Sequence, residues 1–113
     1  ALKRLKKQSI TNFNSMISLF GERKSMIQLG TNPYTVTLHA SFESANHFNF
    51  LLDYCPGGEM FLHISSQNRR LTLDEMRLYF CEILLAMEYI HKKKVLYRDL
   101  KVNINLYSQR IFL

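Results

Sequence analysis

The sequence predicts an α+β fold: a small antiparallel sheet with one helix, then a glycine-rich crossing into a longer helical part. Three observations lead there. Residues 1–7 alternate apolar and basic side chains, and residues 34–42 and 47–54 are rich in β-branched and aromatic types, as half-buried strands are. Cys55-Pro56-Gly57-Gly58 then breaks any strand. Finally, Thr72-Leu73-Asp74-Glu75 has the form of a capping box, which starts a helix.

Taken in order, Ala1 to Lys7 starts abruptly and reads as a strand cut open. From Asn12 to Leu29 the residues Phe13, Met16, Ile17, Phe20, Met26 and Ile27 recur at helical spacing, and Gly30 with Asn32-Pro33 supplies the stop. Gly21 inside that stretch costs the helix about 1 kcal/mol relative to Ala. Tyr34–Phe42 and His47–Tyr54, separated by Glu43-Ser44-Ala45-Asn46, predict a hairpin. Beyond Cys55-Pro56-Gly57-Gly58 a short helix is expected over Glu59–Ser66, and Gln67–Arg70 is a polar connector. The helix opened by Thr72 carries Met76, Phe80, Ile83, Leu84, Met87 and Ile90 as its expected core stripe. It closes at Lys92-Lys93-Lys94, where cations offset the helix dipole.

The 113 residues, 47% of them apolar, suffice for a packed core. No apolar run approaches the roughly 20 residues of a membrane span, and no signal-peptide pattern opens the chain, so an intracellular, cytoplasmic protein is expected. Cys55 and Cys81 lack metal-ligand spacing and read as free thiols, while the four histidines are too scattered for a local metal motif. A net charge of +6 admits an acidic partner. Yet the basic residues form two short clusters with no interleaved aromatics, which disfavours specific nucleic-acid binding.

The chemistry concentrates at Val95-Leu96-Tyr97-Arg98-Asp99-Leu100-Lys101. An apolar step after a long helix would hold this loop firmly. With Arg98 on one side and Lys101 two positions later, Asp99 stays ionised and could accept a proton from a hydroxyl while Lys101 faces a phosphate. Tyr-Arg-Asp-Leu-Lys resembles the catalytic loop of eukaryotic protein kinases, with the Tyr typical of the AGC group, the cAMP-dependent, protein-C and protein-B kinases. Asp53-Tyr54-Cys55-Pro56-Gly57-Gly58-Glu59-Met60-Phe61 is similar to the hinge of the same group.

That resemblance implies a partial two-lobed kinase fold. Residues 1–54 would belong to the N-lobe, 55–59 to the hinge and 60–106 to the C-lobe up to the catalytic loop, with an atypical tail over 102–113. It implies a serine/threonine protein kinase using ATP and Mg2+ on protein substrates that carry basic residues near the target Ser/Thr. Asp99 would be base and orienter, and Lys101 would steady the phosphoryl group. Ala1 would lie against adenine and Lys3 on the nucleotide phosphates, with Glu22 as its ion-pair partner. Leu52 would be the gatekeeper, the Asp53 and Cys55 main chains would bond adenine, and Glu59 would reach the ribose or a basic substrate residue.

Two departures stand against the pattern. The metal-binding Asn expected five residues after Asp99 is Ile104, which cannot ligate Mg2+, so Asn103 or Asn105 would have to substitute. The resemblance stops near Lys101, and an intron read-through would account for the tail. A non-catalytic kinase-like interaction module is therefore the alternative.

Overall fold

The computed structural model describes residues 1–56, 71–98 and 100. In chain order these form strand β1 (Leu2–Lys6), a 3-10 turn (Lys7–Ser9), helix α1 (Phe13–Leu29), strands β2 (Leu38–Glu43) and β3 (His47–Leu52), and helix α2 (Leu73–Lys92). The expected α+β class holds. The short helix at Glu59–Ser66, the connector at Gln67–Arg70 and the tail at 102–113 lie outside the described residues.

β3 is the middle strand of a three-stranded sheet ordered β1-β3-β2, antiparallel on both sides. Leu2 stands opposite Leu51, and Lys6 opposite His47. Phe50 and Leu52, two apart on β3, are buried, whereas Leu51 between them faces outward, as the period of a pleated strand requires. β2 is shorter than the run that predicts it: the ladder starts at Leu38, not Tyr34, and β3 ends at Leu52, not Tyr54. Competing hydrogen bonds explain the difference. The Asn32 side chain accepts the Tyr34 N–H at 2.8 Å, and the Thr37 N–H donates to the Asp53 carboxylate at 2.8 Å. Thr35, Val36 and Thr37 are therefore buried as coil. Apart from an isolated bridge between Thr35 and Asn32, their β-rich composition goes with burial and not with a place in the sheet.

α1 starts where Asn12 accepts the Ser15 N–H at 2.8 Å, and it ends at Gly30, whose φ of 64° and ψ of −149° suit glycine alone. Its buried residues are Leu19, Met26 and Leu29; of the residues whose spacing predicts the helix, Met26 is buried, whereas Phe13, Ile17, Phe20 and Ile27 are more than half exposed. Positions 19, 22, 26 and 29 form one stripe at helical spacing. Leu19 and Met26 on that stripe pack with Val36, Phe50 and Leu52 as the main core, and Leu5 joins its margin.

α2 has the predicted capping box: the Glu75 N–H donates to the Thr72 hydroxyl at 3.2 Å, and the Thr72 N–H donates to the Glu75 carboxylate at 2.8 Å. Its inward face keeps Ile83, Met87 and Ile90 of the predicted stripe but departs from it at the other three positions. Tyr79, Ile83, Ala86 and Ile90 pack inward, whereas Met76, Phe80 and Leu84 are about half exposed. At its end the Lys94 N–H donates to the His91 carbonyl (2.9 Å) and the Val95 N–H to the Ile90 carbonyl (3.1 Å), with Lys94 at φ 59°. This is a Schellman motif with lysine in the left-handed position, completed by contact between Val95 and Ile90.

Leu29 of α1 belongs to the same cluster as Ile90 and Val95, so the two helix ends are packed together. Each such buried side chain contributes about 1.5–3 kcal/mol of transfer free energy. The Tyr89 hydroxyl donates to the Leu29 carbonyl, and the Gln28 amide donates to the Lys93 carbonyl at 2.6 Å. Among the described residues no helix is long and apolar enough to cross a membrane.

Candidate functional site

Lys3 and Glu22 meet because of two periodicities. Lys3 is two residues before Leu5, whose side chain joins the core beneath α1, so a two-residue period turns Lys3 toward α1 as well. Glu22 lies between Leu19 and Met26 on the stripe that α1 packs inward. The result is a Lys3 Nζ to Glu22 Oε1 distance of 2.5 Å, with the side chains 32% and 25% exposed. A half-buried ammonium with a carboxylate at this distance has its direction set, and can face an anion.

Ala1 lies beside Leu52 at the start of the same strand. The Leu52 N–H donates to the Ala1 carbonyl at 2.8 Å, and the Ala1 amino group donates to the Leu52 carbonyl at 2.6 Å. Leu52 itself is only 3% exposed and belongs to the core. Asp53 follows directly. Its main-chain N–H donates to the Thr37 carbonyl at 3.2 Å, and its carboxylate, besides accepting from Thr37, lies 2.8 Å from His39 Nε2. His39 stands at the register shift between Leu38 and Ala40, a bulge that re-aims its side chain. Cys55, half-buried, rests against the core.

On the other side, the turn after α2 carries Val95-Leu96-Tyr97-Arg98. Tyr97 packs against Ala86 and against the Leu29–Ile90–Val95 cluster, which anchors the segment. Arg98 has φ 59°, a left-handed conformation that a residue with a Cβ adopts at some cost. A cleft of about 350 Å³ lies between this segment and α1, with Ser18, Gly21 and Glu22 on one wall and Tyr97 and Arg98 on the other. Gly21 contributes open space: a Cβ placed there meets nothing within 4 Å.

Of the residues singled out in the sequence, the structure therefore brings together Ala1 with Leu52 and Lys3 with Glu22, and sets Asp53 and Cys55 directly after Leu52. Glu59, Asp99, Lys101, Asn103, Ile104 and Asn105 lie outside the described residues. Among the described residues no group of three His, Cys, Asp or Glu side chains could hold a metal ion. Two features escaped the sequence reading. The His39–Asp53 pair depends on a bulge, and the Gln28 bond to Lys93 joins positions 65 apart; neither leaves a local signal.

Comparison with known proteins gives a consistent picture. A family profile described as "Protein kinase domain" matches residues 1–111, past Lys101 where the motif resemblance ends. Phototropin-1A of Oryza sativa subsp. japonica is 37% identical over 102 residues, which is 89% of this chain and 11% of that protein. The RAC family serine/threonine-protein kinase homolog of Dictyostelium discoideum is 39% identical over 101 residues, 89% of this chain and 22% of the relative. The serine/threonine-protein kinase Sgk1 of Rattus norvegicus is 39% identical over 111 residues, 96% of this chain and 25% of the relative. The chain thus spans between about a tenth and a quarter of the length of these relatives.

Proposed function

Since the chain belongs to the protein kinase family, we propose that it is the central segment of an AGC-like serine/threonine protein kinase, cytoplasmic, which transfers the γ-phosphoryl group of ATP to Ser/Thr hydroxyls of protein substrates. The observation that carries this reading is the ion pair between Lys3 and Glu22, on a helix that shares a cleft with Tyr97 and Arg98.

ATP, when bound, supplies the phosphoryl group, and Mg2+ offsets its charge. Everything else is the work of the chain's own groups. Lys3, aimed by Glu22, holds the nucleotide phosphates, and an ammonium with a fixed direction does so without reorganising. Ala1 and Leu52 line the adenine slot, while the Asp53 and Cys55 main chains give the ring edge its hydrogen bonds and Glu59 reaches the ribose or a basic residue of the substrate. Asp99 orients the attacking hydroxyl and accepts its proton, and Lys101 steadies the group in transit. Ile104 offers no ligand oxygen; the Asn103 and Asn105 amides do.

A second reading, a non-catalytic kinase-like interaction module, is favoured by Met76, Phe80 and Leu84, apolar and about half exposed along α2. One experiment separates the two. With the full protein, ATP and a basic Ser/Thr peptide, Asp99→Ala should abolish phosphate transfer while nucleotide binding persists. Retained turnover in that variant would overturn the assignment of Asp99. An unmodified protein that neither binds MgATP nor transfers phosphate, yet associates with rising concentration, would establish the module.

A further inference from the structure

Helix α2 ends with carbonyls that have no partner further along the helix, as every helix does. Here the shortage is met locally and from outside. The Tyr89 carbonyl accepts the Lys93 N–H, the Ile90 carbonyl accepts Val95, and the His91 carbonyl accepts Lys94. The Lys93 carbonyl, last in the series, accepts a side chain from a different helix, the Gln28 amide at 2.6 Å.

Gln28 sits six residues after Glu22 on α1, about 9 Å along the helix axis at 1.5 Å per residue. Lys93 sits two residues before Val95, where the segment carrying Tyr97 and Arg98 begins. The bond therefore joins the helix that aims Lys3 to the turn that launches the loop bearing Asp99. We infer that Gln28 is a positioning residue: by pinning the last turn of α1 to the end of α2, it fixes Glu22, and through it Lys3, relative to the segment that carries Tyr97 and Arg98 across the cleft. This role rests on the kinase reading given above.

The alternative is an ordinary surface hydrogen bond. Its worth to folding would be small, since Gln28 is exposed and water competes for the bond, so stability alone gives it little purpose. Geometry gives it more. The sheet holds α1 by Leu19, by Met26 and by the Arg23 bond to the Ser41 hydroxyl at 2.7 Å, all on the β side of the helix. Gln28, with the Leu29 contacts, acts on the other side, against α2. Without Gln28 the α2 side keeps only the contacts of Leu29, its packing and the Tyr89 bond to its carbonyl, and a displacement near 1 Å at a phosphate-binding group is enough to cost turnover.

The test uses the full protein in three forms: unmodified, Gln28→Met, which keeps length and helix propensity but removes the donor, and Gln28→Lys, which restores a donor of similar reach. Hydrogen exchange without nucleotide reads the latch, and steady-state phosphate transfer reads its consequence. Gln28→Met is expected to speed exchange at the Ser25–Leu29 amides and to lower kcat about fivefold, with KM for peptide and the melting temperature nearly unchanged. Gln28→Lys should recover both. Exchange and turnover unchanged in Gln28→Met would overturn the inference, as would a loss that Gln28→Lys fails to restore. If exchange responds but the unmodified protein transfers no phosphate, the kinase reading fails, and the positioning role with it.

Discussion

Lys3 and Glu22, 19 positions apart in the chain, lie 2.5 Å apart in space, one on an outer strand and the other on the inward stripe of α1. Their side chains are a quarter to a third exposed, so solvent screens the attraction, and the pair adds no more than about 1 kcal/mol to stability. Its value lies in direction. Glu22→Gln should therefore shift the melting temperature by only a degree or two while lowering phosphate transfer tenfold or more. Parallel thermal unfolding and initial-rate assays check this; a variant that loses stability and activity in proportion would make the pair structural.

Lys94 occupies the left-handed position of the motif that ends α2. A Cβ in that conformation costs about 1–2 kcal/mol, against which glycine's extra freedom in the unfolded chain must be set. Lys94→Gly is expected to raise stability by about 0.5–1 kcal/mol. Denaturant midpoints at constant m-value provide the measurement.

The orientation of α1 can be tested by a pair of truncations. Met26 is 2% exposed and packed in the main core, whereas Ile17 is 53% exposed. Met26→Ala should cost about 2–5 kcal/mol, and Ile17→Ala less than about 1 kcal/mol. Equal losses would mean that α1 presents a different face to the sheet.

Glu82 on α2 is partly buried, and burial raises its carboxyl above the usual range. A carboxyl that binds its proton more tightly when folded makes the native state hold more protons than the unfolded chain over that window. Stability then falls as pH rises from the ordinary glutamate value through the raised one. Glu82→Gln should remove this slope and leave the protein more stable at neutral pH, as urea unfolding between mildly acidic and neutral buffer would register.

Some of this architecture was legible before any coordinates, and the reason is locality. The Thr72–Glu75 cap, the Gly30 stop and the turn between β2 and β3 are each decided within four or five residues. The buried faces of the helices were legible only in part, at Met26, Ile83, Met87 and Ile90, because both helices carry apolar residues nearly all round. Phe13, Ile17 and Phe20 make a stronger-looking stripe than Leu19, Glu22, Met26 and Leu29, since the latter contains a carboxylate. That carboxylate is the informative residue: a charge on the packed side of a helix needs a partner across the interface, and Lys3 is that partner. At Thr35–Thr37 the β-rich composition goes with burial, since these residues lie outside the ladder of the sheet. The Gln28 contact was invisible for the opposite reason to the cap, since its partner is 65 positions away.

Two left-handed residues, Lys94 and Arg98, bracket Val95-Leu96-Tyr97, and Val95 and Tyr97 are both seated in clusters that α2 shares with Leu29 of α1 and with Tyr34. The span between the two reversals behaves as a ruler of fixed length, with little slack to absorb an added link. Lengthening it by one residue would move Arg98 out of step with the anchored Val95 and Tyr97. Shortening it would unseat one of the aromatic or branched anchors. Chain length here is a specification, as binding as the identity of any single side chain.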